Sequence, residues 1–409
     1  MRPCGVDIRV PRRCELKRCR ARRYSAHATW PGTFFTLLPN FLQVSLLMTS
    51  SLAATLVLVA AAFVPGPFMK VQNRSWLMTS ISEIRHLLSR SIPGRTPHDL
   101  FRRARVLMYA LLNPFAARIW LKALSTNTLL ADIAARNRRF LERPFHCFAQ
   151  ADMRANERAE LLCGHFRVVR ELFGEDLVRR LYLNSEHVTL ASSGRYALVV
   201  SEPVRCWREG LLTVAWRDVF EHVDLAWATI SFERHAGSGK RSALIGGLQG
   251  PAGADRERVR EATRACHGLR PKAAVIEAVS ELCRMARIDA LTGVTKKTHV
   301  SAATAIQFGA DYDGFWREQG GVEVDGRFVL PLRPYHRDVS EVPSKRRAEF
   351  RRRQTLIADL LEQLDRAVDE ALTADLKLPH LGHAHATADD HLLELAAALA
   401  TDYCEAEPA

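Results

Sequence analysis

The stretch LLTVAWRDVFEHVDLAWATISFERHAGSGKRSALIGGLQGP (211–251) decides the fold. Its apolar residues recur with a period of two in Leu211–Trp216 and Leu225–Phe232, and Ala243–Leu248 follows as a short apolar run. Such segments read as strands. The joins are short and polar, and Gly237-Ser238-Gly239 marks the last of them. Strands joined by turns this short run antiparallel.

Working outward, the period changes from two to 3.6. Asp255–Cys266 reads as a helix with Val259, Ala262 and Cys266 on one face. A second helix opens at Pro271, whose fixed φ and missing N–H suit the first helical position. Val275, Val279, Leu282 and Ala286 then trace one apolar stripe, with Glu277, Glu281 and Arg284 outside it. Ala290–Thr295 and Arg327–Leu332 read as further strands, and Ser344–Leu372 as a long polar helix buried along Leu356, Leu360 and Leu364. Upstream, Glu157–Leu183 is helical with Leu161, Leu162, Phe166, Val169 and Phe173 inward. From Ser80 to Arg139 the pattern is also helical. The expected class is α/β in the broad sense, α+β: a helical N-terminal section, then a mainly antiparallel or mixed sheet with flanking helices. The expected divisions are 1–68, a helical front section 69–142, an α/β domain 143–373, and a tail 374–409.

The ends differ in character from the middle. Met1–Arg23 is strongly basic, and Tyr24–Met69 holds no Asp, Glu, Lys or Arg. Ser45–Val64 is about long enough to span a bilayer, which takes roughly 20 apolar residues. A basic flank before such a run suits a membrane anchor or a signal segment. Two other readings compete: translated upstream sequence with Met48 or Met69 as the true start, and a buried core helix. In the tail, His380, His383, His385 and His391 beside Asp389 and Asp390 have a spacing that holds zinc or nickel only loosely, so a solvated tail is expected and no metal site.

Composition bounds the rest. With 409 residues, 47% hydrophobic and 25% charged, the chain can bury a sizeable core. A net charge of +13 favours an acidic partner surface, but arginine outnumbers lysine in an alanine-rich chain, a bias that GC-rich coding also produces. Nine cysteines without a CxxC suit a reducing compartment, hence the cytoplasm, with the chain peripheral to or anchored in the inner membrane if Ser45–Val64 inserts. No Walker loop, GxSxG, HExxH or GxGxxG is present, so NTPase, α/β-hydrolase, metalloprotease and dinucleotide readings have no support.

A resemblance runs through RPFH (143–146), GHF (164–166), LYL (181–183), REGLLT (208–213), IGGLQGP (245–251) and REATRACHGLRPK (260–272). It continues through GVTKKTHV (293–300), DYDGFWREQGG (311–321), FVLPL (328–332) and PSKRRAEFRRR (343–353). In this order the motifs resemble the VirK/YbjX family of bacterial proteins. Residues 1–68 and the tail beyond about Thr373 have no counterpart. The resemblance implies association with virulence, stress responses and resistance to antimicrobial peptides, without a defined chemistry.

The order of elements from Leu211 to Thr295 is also similar to the core of the GNAT acyltransferases, where a loop and a helix start hold the pyrophosphate of CoA. Unpaired N–H groups at a helix start attract phosphate. On that likeness Gly268, Arg270, Lys272 and Gln249 are candidates for binding CoA or acyl-CoA. Only Gly268 stands where the GNAT loop carries several glycines, and the helix 255–266 is an insertion. Gly246-Gly247 and Gly250, with Gln249 and His267, mark this strand end as the expected pocket edge. His299, just past a strand end, is a candidate general base near neutral pH, with Tyr312 and Asp311 as proton donor or acceptor in the same region. Packing competes as the role of Tyr312 and Trp316. DYDG is not a calcium loop, because Val322 stands where an EF-hand needs Glu.

Lys345–Arg353 surrounds its helix with charge. That pattern does not suit nucleic-acid readout, and either an anionic membrane surface or solvent is its expected neighbour. Two functions follow as expectations: an acyl-CoA-dependent N-acyltransferase acting on an amine acceptor, or a non-enzymatic envelope or stress adaptor that binds a membrane surface or a partner protein. An open cleft beside Gly268 favours the first, and a filled one the second.

Overall fold

The computed structural model describes residues 86–235, 237–251, 256–302 and 311–377. The basic start, the apolar run Ser45–Val64 and the histidine tail lie outside them. Compactness divides the chain into Met1–Pro67 and Phe68–Ala409, and every described residue belongs to the second unit.

Thr96 opens the first long helix, α1 (Pro97–Leu112). Its hydroxyl accepts the Asp99 N–H while Asp99 bonds back, a reciprocal capping box, with Pro97 at the first position. After it come α2 (Pro114–Thr126), α3 (Thr128–Arg136) and the short α4 (Arg138–Leu141), with Asn127 and Asn137 capping the last two. A 3₁₀ turn at Arg143–Phe145 leads to α5 (Ala155–Tyr182), which kinks at Gly174, where φ is +75°. Trp120, Phe140 and Phe166 pack edge to face from α2, α4 and α5. The front helices thus share one hydrophobic core with the sheet.

The sheet comprises β1 (Val188–Ser193), β2 (Tyr196–Ser201), β3 (Leu212–Asp218), β4 (Val223–Arg234), β5 (Arg241–Gln249), β6 (Ala290–Val294), β7 (Val322–Val324) and β8 (Arg327–Leu330). Its order is β1-β2-β3-β4-β5-β6-β8-β7. All neighbours are antiparallel except β5 and β6, which run parallel. Parallel neighbours need a crossover, and α6 (Arg256–Ala265) and α7 (Pro271–Met285) supply it. The helix α8 (Tyr312–Glu318) then precedes the β7–β8 hairpin, whose Asp325-Gly326 turn has positive φ at both residues. The long α9 (Arg347–Lys377) closes the chain. β2 is buried at every position and β5 at all but its ends, so both faces of the central sheet are covered.

Three differences from the sequence pattern have physical causes. β1 and β2 carry no clear alternation, since β2 (YALVVS) has no solvent face to make one. β4 outruns its apolar segment by two residues at each end, where turn-side charges still pair with neighbouring strands. The last helix begins at Arg347 because Ser344–Arg346 forms a separate 3₁₀ turn.

The GHF and LYL motifs meet in the core. A Cβ on Gly164 would lie 2.9 Å from the Arg234 nitrogen, so glycine lets α5 press against the end of β4. His165 is fully buried; its Nδ1 accepts the Phe232 N–H, which leaves the ring proton on Nε2, 3.0 Å from the Tyr182 oxygen. Tyr182 in turn donates to the Leu211 carbonyl at 2.8 Å. Burial, then the charge of Arg143, holds His165 down to about 3, so it is neutral at physiological pH. Tyr182→Phe strands both partners of the hydroxyl in the core, and denaturant unfolding is expected to show a loss of about 1–3 kcal/mol. A change within 0.3 kcal/mol would show the network to be dispensable.

Candidate functional site

β5 and β6 stay paired only from Ser242–Ala290 to Ile245–Gly293. β6 ends at Val294, and the chain turns through a clasp in which Thr295 and Thr298 bond each other by side chain and backbone. β5 continues to Gln249, with Gly246 bulged out of register against β4. β5 therefore outruns β6 beyond Ile245, and a wedge of polar groups fills the space beside its unpaired edge.

The loop before β3 supplies the centre of the wedge. Buried Arg143, from the RPFH turn, donates to the carbonyls of Trp207 and Gly210 and fixes the loop at both ends. A Cβ on Gly246 would sit 1.7 Å from the Glu209 carbonyl oxygen, and one on Gly247 would sit 1.8 Å from Glu209 Oε2. Those two glycines therefore admit Glu209, where the sequence suggested a ligand or another strand. Gln249 donates to Glu209 Oε1 at 2.6 Å, and His299 Nε2 lies 3.6 Å from the same oxygen. The Tyr312 oxygen accepts the N–H of Leu248, an amide facing the side that β6 has vacated. The rings of Tyr312 and His299 lie 5.1 Å apart. Below them, a Cβ on Gly293 would meet the Trp316 ring at 2.8 Å, and the indole donates to Val294.

Burial sets the protonation of this cluster. It drives the Glu209 carboxyl up to about 7, against the downward pull of Cys206 and then of the Gln249 amide. His299 is pushed down to about 4 by burial and then by the Arg208 charge. Its Nδ1 accepts the Ser301 N–H, so the neutral ring carries its proton on Nε2, towards Glu209. Burial, then the Glu209 charge, raises the Cys206 thiol to about 11, which excludes a thiolate nucleophile at neutral pH. Tyr312 is raised by burial and by Glu209 and keeps its proton. The group that titrates near neutrality is thus Glu209, and the base role expected of His299 conflicts with its burial.

The other sequence candidates separate. Asp311 is exposed and caps α8, accepting the Gly314 N–H at 2.9 Å, a structural duty. Tyr312 and Gln249 belong to the wedge. Lys272, at the start of α7, reaches the mouth of the wedge: its Nζ lies 5.5 Å over the Phe315 ring, and its Cε is 3.8 Å from where a Gly250 Cβ would be. The residue is exposed as a whole, yet burial around the ammonium lowers its pKa. Arg270 precedes the helix, exposed and without a capping bond. Gly268, at φ +83°, faces Glu349 and Arg353 of α9, so it makes the turn and clears no cleft. His267 also has positive φ. Among the described residues no cluster of His, Cys, Asp and Glu could hold a metal. Glu209, Cys206 and Arg143 were not singled out from the sequence.

Residues 95–366 match a family described as "Protein of unknown function (DUF535)", and the chain belongs to that family. It is 28% identical over 284 residues to the Escherichia coli protein printed as "Uncharacterized protein YbjX", covering 66% of this chain and 85% of that one. An uncharacterized Haemophilus influenzae protein is 26% identical over 221 residues, 51% of this chain and 71% of its own. Another from the same organism is 31% identical over 125 residues, 30% of this chain and 42% of its own. These matches bear out the family resemblance read from the motifs. No solved structure matches the chain. Among the described residues no helix is long and apolar enough to cross a membrane.

The carboxyl of Glu209 binds its proton near pH 4.5 when unfolded and near 7 when folded. The folded state binds more protons between those values, so stability falls as pH rises from about 4.5 to 7. Glu209→Gln carries no charge at any pH. It is expected to gain on the parent between pH 5 and pH 8, by up to about 3 kcal/mol in guanidinium unfolding. A difference that does not vary with pH would mean that the carboxylate is not held in a desolvated site.

Proposed function

We propose that the chain is an acyl-CoA-dependent N-acyltransferase of the GNAT kind, with Glu209 as the group that takes the proton of the acceptor amine. One observation carries this reading: the parallel pair β5–β6 ends at Ile245 and Gly293 while β5 runs on, beside the start of the crossover helix α7 and above a buried carboxyl that burial raises to about 7. Ligands of α/β sheets collect outside the carboxyl ends of parallel strands, and this is such a place. On this reading Lys272, with Arg270 beside it, faces the pyrophosphate, and Gln249 holds Glu209. The amine nitrogen attacks the thioester carbonyl and loses a proton to the Glu209 carboxylate. The C–S bond breaks, and the CoA thiolate is reprotonated from Tyr312 or water. His299, neutral with its Nε2–H towards Glu209, positions the carboxyl. A general base of this kind contributes about 10²–10⁴-fold to rate.

A second reading, a non-enzymatic envelope or stress adaptor, is favoured by the filled cleft: Glu349 and Arg353 cover Gly268, the side expected to stand open for a transferase. The Leu248 amide, which a pantetheine arm lying in the wedge would need, is already taken by the Tyr312 hydroxyl, and Trp316 fills the base. The two readings part on cofactor binding. The transferase is expected to bind CoA and acetyl-CoA in calorimetry, with affinity at least tenfold weaker after Arg270→Glu with Lys272→Glu, since charged hydrogen bonds contribute about 1.5–3 kcal/mol each. Arg351→Glu with Arg352→Glu serves as the control of equal charge and leaves affinity unchanged. Glu209→Gln keeps CoA binding and loses transfer. No heat at high micromolar CoA, or equal loss from both double variants, leaves the adaptor.

A further inference from the structure

The front of the helical section carries a surface that the wedge does not use. Phe101, Met108 and Leu112 stand at i, i+7 and i+11 of α1, along one line of the helix, and all three are exposed, Phe101 at 64% and Leu112 at 70%. Exposed Leu100 and Leu111 flank the line on one side, and exposed Phe115 continues it past the α1–α2 corner. The core face of α1 is elsewhere, at Val106 and Ala110, so Phe101, Met108 and Leu112 form a second apolar face that lies outside the hydrophobic core of the described residues.

On its other flank opens a pocket of about 380 Å³, lined among others by Arg102 and Arg105 of α1, Arg139 and Glu142, His146 of the RPFH turn and Trp207. Three guanidinium groups face one carboxylate there. Burial alone would raise Glu142, but hydrogen bonds from His146 and Arg105 and the charges of both α1 arginines hold it down to about 2, so it is ionised. One anion cannot offset three cations. Nε of Arg102 and of Arg105 is buried without a hydrogen-bond partner among the described residues. Arg139 is exposed, its guanidinium 5.8 Å from the Trp207 ring.

We infer that this face docks on an anionic lipid bilayer, with a headgroup phosphate in the arginine pocket and the Phe101–Met108–Leu112 stripe among the upper acyl carbons. Charge selects the occupant: an excess of guanidinium beside an apolar stripe matches a surface whose phosphates border hydrocarbon, and guanidinium forks match phosphate oxygens. The net charge of +13 adds long-range attraction of the same sign.

Co-sedimentation of the full chain with vesicles tests this, comparing phosphatidylglycerol–phosphatidylcholine mixtures with phosphatidylcholine alone. The parent is expected to sediment with the anionic vesicles only, and less so at high salt. Phe101→Asp with Leu112→Asp, and separately Arg139→Glu, should each lower partitioning at least tenfold. All three positions are exposed, so unfolding transitions should match the parent; if the double variant does not fold, Arg139→Glu decides. The Arg351→Gln, Arg352→Gln, Arg353→Gln variant should sediment like the parent. The inference is overturned if the parent ignores anionic vesicles, if neutral vesicles bind equally, or if the α1 variants sediment unchanged. It is also overturned if the aspartate pair dissolves a dimer in a chain that does not bind vesicles, which would give the face to a second copy. None of these outcomes depends on CoA binding.

Discussion

Past Ile245, one edge of β5 faces no strand. Backbone N–H groups inside a protein must be bonded, and leaving one bare in the core costs about as much as a lost hydrogen bond. The chain meets that demand with side chains. Tyr312 takes the Leu248 amide, Trp316 bonds the last carbonyl of β6, and the Glu209 loop occupies the space that Gly246 and Gly247 leave open. Each filler depends on another element: Asp311 caps the helix that presents Tyr312 and Trp316, and Arg143 fixes the loop that presents Glu209. The motifs RPFH, REGLLT, IGGLQGP, GVTKKTHV and DYDGFW, spread over residues 143–316, converge because the edge that β5 extends past β6 has to be covered.

Within the wedge the same burial acts oppositely on acid and base. Taking a group out of water disfavours its charged form, so a carboxyl rises and an imidazole falls. Glu209 and His299 are 3.6 Å apart, yet at neutral pH they form no strong ion pair, because His299 at about 4 has already lost its proton. A residue chosen for its ordinary pKa near neutrality is therefore displaced from that role by its surroundings. The carboxylate, ordinarily far too acidic, is brought into range. Two titratable groups pushed past each other in this way are a common sign of acid–base function, though structural pairs also produce it.

Much of the architecture was legible. β3 and β4 announced themselves by alternation, β5 by its apolar run, the crossover helix by Pro271 and its stripe, and β6 as the next strand, though not its parallel direction. β2 was missed because a strand covered on both faces loses the alternation that identifies it, and β1 because its register slips between Thr189 and Ala191. The site was legible only in outline. Gln249, Tyr312 and His299 lie at strand or helix ends, where local sequence points. Glu209 sits in the loop between β2 and β3, and a charged residue two positions before the apolar strand at Leu211 reads as a solvent-facing loop residue. Its partner signal was Gly246-Gly247, 37 and 38 residues further on, and two adjacent glycines show that something approaches without showing what. Gly268 misled for a related reason: positive φ explains a glycine as fully as a ligand does, and here it turns the chain beneath α9.

The wedge is also a poor solution to packing alone. Buried charged clusters can often be replaced by apolar side chains of similar volume with no loss, or some gain, of stability. Glu209 Oε2 accepts no N–H or O–H among the described residues, and its ionisation weakens the fold as pH rises. A leucine or methionine from the same loop would fill the space beside Gly247 without that penalty, and Gln249 could turn to water. Tyr312 alone satisfies the exposed amide, so the unpaired edge does not require a carboxyl. Local rules broken at a buried position, here a carboxyl with one oxygen bonded and the other not, are where function is to be sought. In this fold, that reasoning singles out Glu209 ahead of any residue on the surface.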